Sequence, residues 1–160
     1  MPIFLTDISR RQSPVVEVDE YVPVTITWPG YRALTDSPSG VMLETGGCLL
    51  EVKVDRASGE LVELVVVDAR RRDLVQESAI LRLPAFEPGV PCLDIGHADA
   101  GKASRSVARL HRDGLDVSLA EEEVVRWVGE QHCVMGFSAS GGLTRLLIHL
   151  EPDEVELAFG

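Results

Sequence analysis

The sequence predicts an all-β fold, or a β-rich one with one short helix, in which two related antiparallel halves pack as a sandwich, roll or open barrel. Three observations predict it. Leu50, Val52 and Val54 alternate with Glu51, Lys53 and Asp55, and after the polar break Arg56–Gly59 the chain returns as the β-branched run Leu61–Val67, which is the pattern of a hairpin. That pattern recurs eighty-two residues later, where Val52 falls on Val134, Ala57-Ser58-Gly59 on Ala139-Ser140-Gly141, Leu61 on Leu143 and Leu64 on Leu146, with Gly47 on Gly129. Finally, 45% of the residues are hydrophobic but only 5% aromatic, so the core must be aliphatic, mostly Val and Leu. The 160 residues suit a single domain, its halves at 15–83 and 107–160 joined by the proline- and glycine-containing connection 84–106.

Taken in order, residues 1–13 have no clear period and suit a short strand or an arm. Val15–Asp19 reads as an edge strand. Val22, Val24, Ile26 and Trp28 alternate with Pro23, Thr25 and Thr27 as a half-buried strand that ends at the turn Pro29-Gly30. A loop over 35–40 precedes the short strand Val41–Glu44, the tight turn Gly46-Gly47 and the hairpin. Period two places Val62, Leu64 and Val66 on one face and Leu61, Val65 and Val67 with Glu63 on the other, an apolar outer face that calls for cover by the connection or by a second copy of the chain.

Arg70-Arg71-Arg72 reads as a solvated run able to pair with acidic side chains elsewhere, and Ser78–Leu83 as a further strand. The connection has little periodicity. Val107–His111 and Leu115–Leu119 flank Asp113-Gly114, a strong hairpin signal. Ser118 and Glu121 have capping-box spacing, which makes 118–129 readable as helix, but the repeat lays Glu123–Val128 on Val41–Gly46 and favours a strand. In the second hairpin Thr144, Leu146, Ile148 and Leu150 share one face, and Leu143, Arg145, Leu147 and His149 the other. Val155, Leu157 and Phe159 alternate with Glu154 and Glu156 as a final strand.

The chemistry-bearing residues are sparse. The segment Cys92–Asp99 offers a thiol, two carboxylates and His97, but its spacing matches no zinc pattern. His132 and Cys133 are neighbours on a strand and so point to opposite faces, unsuited to a nucleophile pair. Ser58-Gly59 and Ser140-Gly141 are hairpin turns rather than nucleophile elbows, and the glycine pairs lack the lysine of a phosphate loop. No cofactor or metal is expected. Cys48, Cys92 and Cys133 form no CxxC and read as free thiols.

The formal net charge is −11, and from Leu115 onward nine acidic side chains face two basic ones. That balance argues against nucleic acid and anionic membrane as partners. There is no signal-peptide pattern and no apolar run of membrane-spanning length, so a cytoplasmic location is expected. The leading expectation is a small, acidic, non-catalytic protein-binding domain, of an inhibitor or immunity type, that neutralises a basic protein through Glu121, Glu122 and Glu123 and through Asp153, Glu154 and Glu156. The plain alternative for both clusters is a solvated face. Two other readings are a small-ligand-binding β-domain with a pocket between the halves lined by Trp28, Tyr31 and Trp127, and an enzyme using the 92–99 loop.

Overall fold

The structure, a computed structural model, describes residues 3–96 and 102–160, with the backbone alone at 102–105. It is β-rich with one α-helix, and its main sheet curls into a half-barrel. The strands are β1 (Phe4–Ser9), β2 (Val15–Val18), β3 (Val24–Thr27), β4 (Ser39–Gly46), β5 (Cys48–Val54), β6 (Leu61–Ala69), β7 (Val75–Gln76), β8 (Glu87–Pro88), β9 (Val90–Asp94), β10 (Lys102–His111), β11 (Gly114–Ser118), β12 (Arg126–Glu130), β13 (Cys133–Phe137) and β14 (Leu143–His149), followed by α1 (Pro152–Phe159).

The large sheet runs β2-β3-β6-β5-β4 and continues β10-β11-β14-β13-β12, with β8 beyond β12 and β7 beside β10. The two runs have one plan, a hairpin whose inner strand pairs with the last strand of a three-stranded meander, all antiparallel. They meet where β4 pairs in parallel with β10. β1 and β9 form a separate small antiparallel sheet. One apolar core spans both halves, from Ile26, Leu50, Leu64 and Val66 to Leu115, Met135, Leu146 and Ile148.

The likeness of the halves reaches the backbone irregularities. Lys53 pairs with Glu63 while Val54 pairs with Leu61, so Val62 bulges. Gly136 pairs with Arg145 while Phe137 pairs with Leu143, so Thr144 bulges at the matching place. A bulge advances one strand by a residue and exchanges its faces. Leu61 and Leu143 therefore join Leu64 and Leu146 in the core, whereas Val62 and Thr144 go to the other side. That corrects the faces expected from strict alternation. Leu61–Val67 and Leu143–His149 even share one burial pattern, with Glu63, Val67, Arg145 and His149 the half-buried positions.

The repeat register also needs correction on the neighbouring strands. Leu64 lies beside Val52, and its counterpart Leu146 lies beside Met135, not Val134. The second turn, 138–142, is one residue shorter than 55–60, which moves β13 by one position. On the next strand Val52 pairs with Val41 and Met135 with Val128, so β12 forms at Arg126–Glu130, and Leu119–Val125 is irregular.

Four other expectations change. Residues 152–159 are helix rather than strand. Pro152 opens the helix, Glu154 accepts from the Glu151 amide at 2.9 Å, and Val155, Ala158 and Phe159 bury at helical spacing while Leu157 stays 53% exposed. Residues 78–83 form no strand. The 84–106 connection is not structureless, since it holds β8, β9 and the start of β10. Finally, cover falls on the other half: Leu81, Leu83 and Phe86 pack over Val134, Leu147 and Trp127, outside the second meander. In the first half the 3-10 turn Pro29–Ala33 lies against β6, with the Trp28 amide donating to Val62 O at 2.9 Å.

Candidate functional site

The outer face of each half carries a row of four residues, one from each neighbouring strand. In the first half the row is Thr27, Glu63, Lys53 and Gly40. Thr27 Oγ1 donates to Glu63 at 2.9 Å, and Lys53 Nζ bonds the other Glu63 oxygen at 2.9 Å. The Glu63 hydrogen bond is the main reason the Lys53 ammonium is held above its ordinary pKa.

In the second half the row is Ser118, Arg145, Gly136 and Trp127. Gly136 leaves room for the indole: a Cβ there would lie 2.8 Å from the Trp127 ring and 2.9 Å from Val124. The Arg145 guanidinium sits 5.5 Å from the Trp127 ring centre and donates to Asp116 Oδ2 at 2.6 Å. Asp116 is only 7% exposed; its Oδ1 and the Arg145 Nε are buried without hydrogen-bond partners. Arg145 also lines a broad concavity of about 540 Å³ with Val107, Arg109, Ser118, Glu121 and Glu122.

The acidic loop forms the rim of that concavity. Glu121, Glu122 and Glu123 are all exposed on the irregular segment between β11 and β12. The loop is tied at both ends, Leu119 N–H to Thr144 O at 2.8 Å and Val125 N–H to Phe137 O at 2.9 Å. Val125 beside the carboxylates is 61% exposed. The C-terminal carboxylates are placed differently. Asp153 and Glu154 lie in the first turn of α1, where the helix dipole favours negative charge, and Glu154 is used by the cap. Glu156 is paired with Arg71 at 2.9 Å, and Arg71 Nε also donates to Gly160 O at 2.8 Å. One arginine of the run, Arg71, thus pairs with an acidic residue of the helix.

The aromatic trio does not meet in one pocket. Trp28 belongs to the inner core, Trp127 to the outer cluster of the second half, and Tyr31 is half-buried on the turn outside the first. A cleft of about 380 Å³ does exist, between Gly30–Ser37 and the β5–β6 turn, with Asp36, Asp55, Arg56 and Glu60 among its walls.

Cys92, Leu93 and Asp94 lie on β9, and His97 and Asp99 fall outside the described residues. Burial, with Glu60, Asp7 and Asp55 nearby, raises the Cys92 thiol, which disfavours the thiolate a nucleophile needs. Cys48 is pushed up to about 12 by burial. Burial also raises Cys133, with Glu130 adding to the effect. Among the described residues, no three His, Cys, Asp or Glu side chains converge on a point suited to a metal ion. None of the described helices is long and apolar enough to cross a membrane.

Sequence reasoning missed the Asp116–Arg145–Trp127 group. A signal was present, since Glu63 and Arg145 occupy one repeat position with opposite charge. Finding the rest required the pairing of Gly136 with Trp127, which only the true register supplies. No protein-family model and no curated protein matches the chain in sequence.

Proposed function

We propose that the protein is a non-catalytic binding domain, of an inhibitor or immunity type, whose Leu119–Val125 loop engages a basic protein partner. The observation that carries this reading is the loop itself: three successive exposed carboxylates, anchored by backbone hydrogen bonds at both ends and flanked by the exposed Val125. A rigidly held acidic rim loses little entropy on binding, and its field speeds encounter with a positive surface. Val125 and the partly exposed face of Trp127 supply apolar contact beside the charge. The raised thiols disfavour a cysteine nucleophile. Asp153 is the exposed C-terminal carboxylate with most freedom to add to the field, because Glu154 caps the helix and Glu156 pairs with Arg71.

The test is affinity capture from host lysate at low and high salt, comparing wild type with Glu121→Arg/Glu122→Arg/Glu123→Arg. A basic protein retained by wild type at low salt, weakened by salt and lost in the triple variant is the expected result. Capture unchanged by the triple variant overturns the reading. A second reading, small-ligand binding, draws its support from the Gly30–Glu60 cleft. Native mass spectrometry that finds a co-purified small molecule, displaced by substitutions at Asp36 or Arg56, would favour it.

A further inference from the structure

The two ends of the large sheet are treated differently. At the β12 end, β8 adds in parallel, Gly89 N–H donates to Gly129 O at 3.1 Å, and Arg126 clasps Glu87 at 2.8 Å. That edge is closed by the chain itself. At the other end, no strand among the described residues follows β2, and α1 packs against it. Asp19 N–H donates to Pro23 O, which makes the odd-numbered residues of β2 the ones bonded to β3. Amide and carbonyl groups of Val16 and Val18 therefore point away from the sheet. Exposed apolar side chains gather here too, with Val15 at 57% and Tyr21 at 82%. An edge of this kind is a template for another strand.

Charge identifies the occupant. Arg10 and Arg11 precede β2, and Asp19 and Glu20 follow it, all exposed. Such a strand is complementary to itself when run antiparallel, because each basic end then falls within two residues of an acidic one. We propose that β2 is a self-association edge, pairing antiparallel with β2 of a second copy about a two-fold axis near Val16. In that register the Val16 residues exchange hydrogen bonds. Each Val18 amide meets the carbonyl of Pro14, a residue with no amide to leave unpaired. Glu17 lies opposite Val15 rather than opposite itself, avoiding like-charge contact. The interface is isologous, and it joins the large sheets of the two copies edge to edge. The small contact fits a salt-sensitive dimer of micromolar strength.

Sedimentation velocity at about 100 μM and low salt reads the dimer directly, since a micromolar Kd fills it at that concentration. Wild type is expected to sediment as a dimer that dissociates as salt rises. Arg10→Glu/Arg11→Glu and Glu17→Arg/Glu20→Arg should each be monomers with unchanged circular dichroism. Mixed in equal amounts, they should form a heterodimer, because each altered end then meets its complement. A monomeric wild type, dimers that survive both variants, or a mixture that stays monomeric would each overturn the proposal.

Discussion

Glu63 and Arg145 stand at the same place in the two halves, each half-buried, each one residue beyond the bulge of its strand, and they carry opposite charges. Around Glu63 the large side chain of the row is Lys53, with Gly40 beside it; around Arg145 the large one is Trp127, with Gly136 beside it. Large and small have changed strands. The backbone tolerates either arrangement because the inward residues, Leu64 and Leu146, are held by one core. The outward rows have different neighbours, Trp127 of the second packing with Leu81, Val134 and Leu147. That difference lets the first half end in a short ion-pair row and the second in an aromatic–cationic patch beside the acidic loop.

Substitutions can break or sharpen this comparison. Leu64→Ala and Leu146→Ala should have the largest effects, about 3 kcal/mol each, because both side chains are buried in one core. Urea unfolding should give values within about 2 kcal/mol of each other, the spread that Leu→Ala shows between differently packed sites; a wider gap would mean the halves are not packed alike. The turn glycines separate the halves more sharply. Gly59 and Gly141 both have left-handed φ, +77° and +87°, so alanine costs about 1 kcal/mol at either site. At Gly59 the new Cβ would also lie 2.6 Å from Leu93 O, whereas at Gly141 its nearest neighbour is 3.8 Å away. Gly59→Ala should therefore exceed about 2 kcal/mol, and equal losses would contradict the contact between β9 and the first turn.

Arg145→Met should cost about 1.5 kcal/mol, discounted for its partial exposure, because it strands the Asp116 carboxylate inside. Glu63→Gln should cost about 0.5 kcal/mol, since Lys53 keeps Glu51 at 3.5 Å. A double-mutant cycle on Asp116 and Arg145 measures the coupling directly, and no coupling would remove the pair from the argument. The smallest effect is alkaline. Cys48 and Cys133 each follow a tight turn, and burial raises both, Cys48 from 9.0 to about 12. Above pH 9.0 the unfolded chain loses thiol protons that the folded chain retains, so stability is full below that pH and falls as pH rises toward the folded value. Just above 9.0 each thiol removes less than about 1 kcal/mol. Cys133→Val should flatten the decline seen in urea titrations, and an unchanged slope would argue against its burial.

Much of the architecture was legible. Period two marked the hairpins, Asp113-Gly114 marked the β10–β11 turn, and the recurrence of Ala-Ser-Gly located two equivalent turns. The final helix is hidden in the sequence because Val155, Leu157 and Phe159 satisfy a strand pattern, and only Glu151, Pro152 and Glu154 carry the capping signal. Of the candidate site, the exposed Glu121–Glu123 cluster was legible from composition, and its anchored geometry was not. Trp28, Tyr31 and Trp127 share only their aromatic character, which does not say on which side of a sheet a ring lies.

By itself the sequence determined the strand-rich class, the aliphatic core and the repeated hairpin, because burying one face of a strand imposes a pattern on adjacent residues. Only the tertiary structure decided which residues face inward beyond each bulge, which half the 81–86 segment covers, and that Asp116, Arg145 and Trp127 meet. Those outcomes depend on how many residues each strand contributes to its ladder. That number is set by pairing with a distant strand, and no local window of sequence contains it.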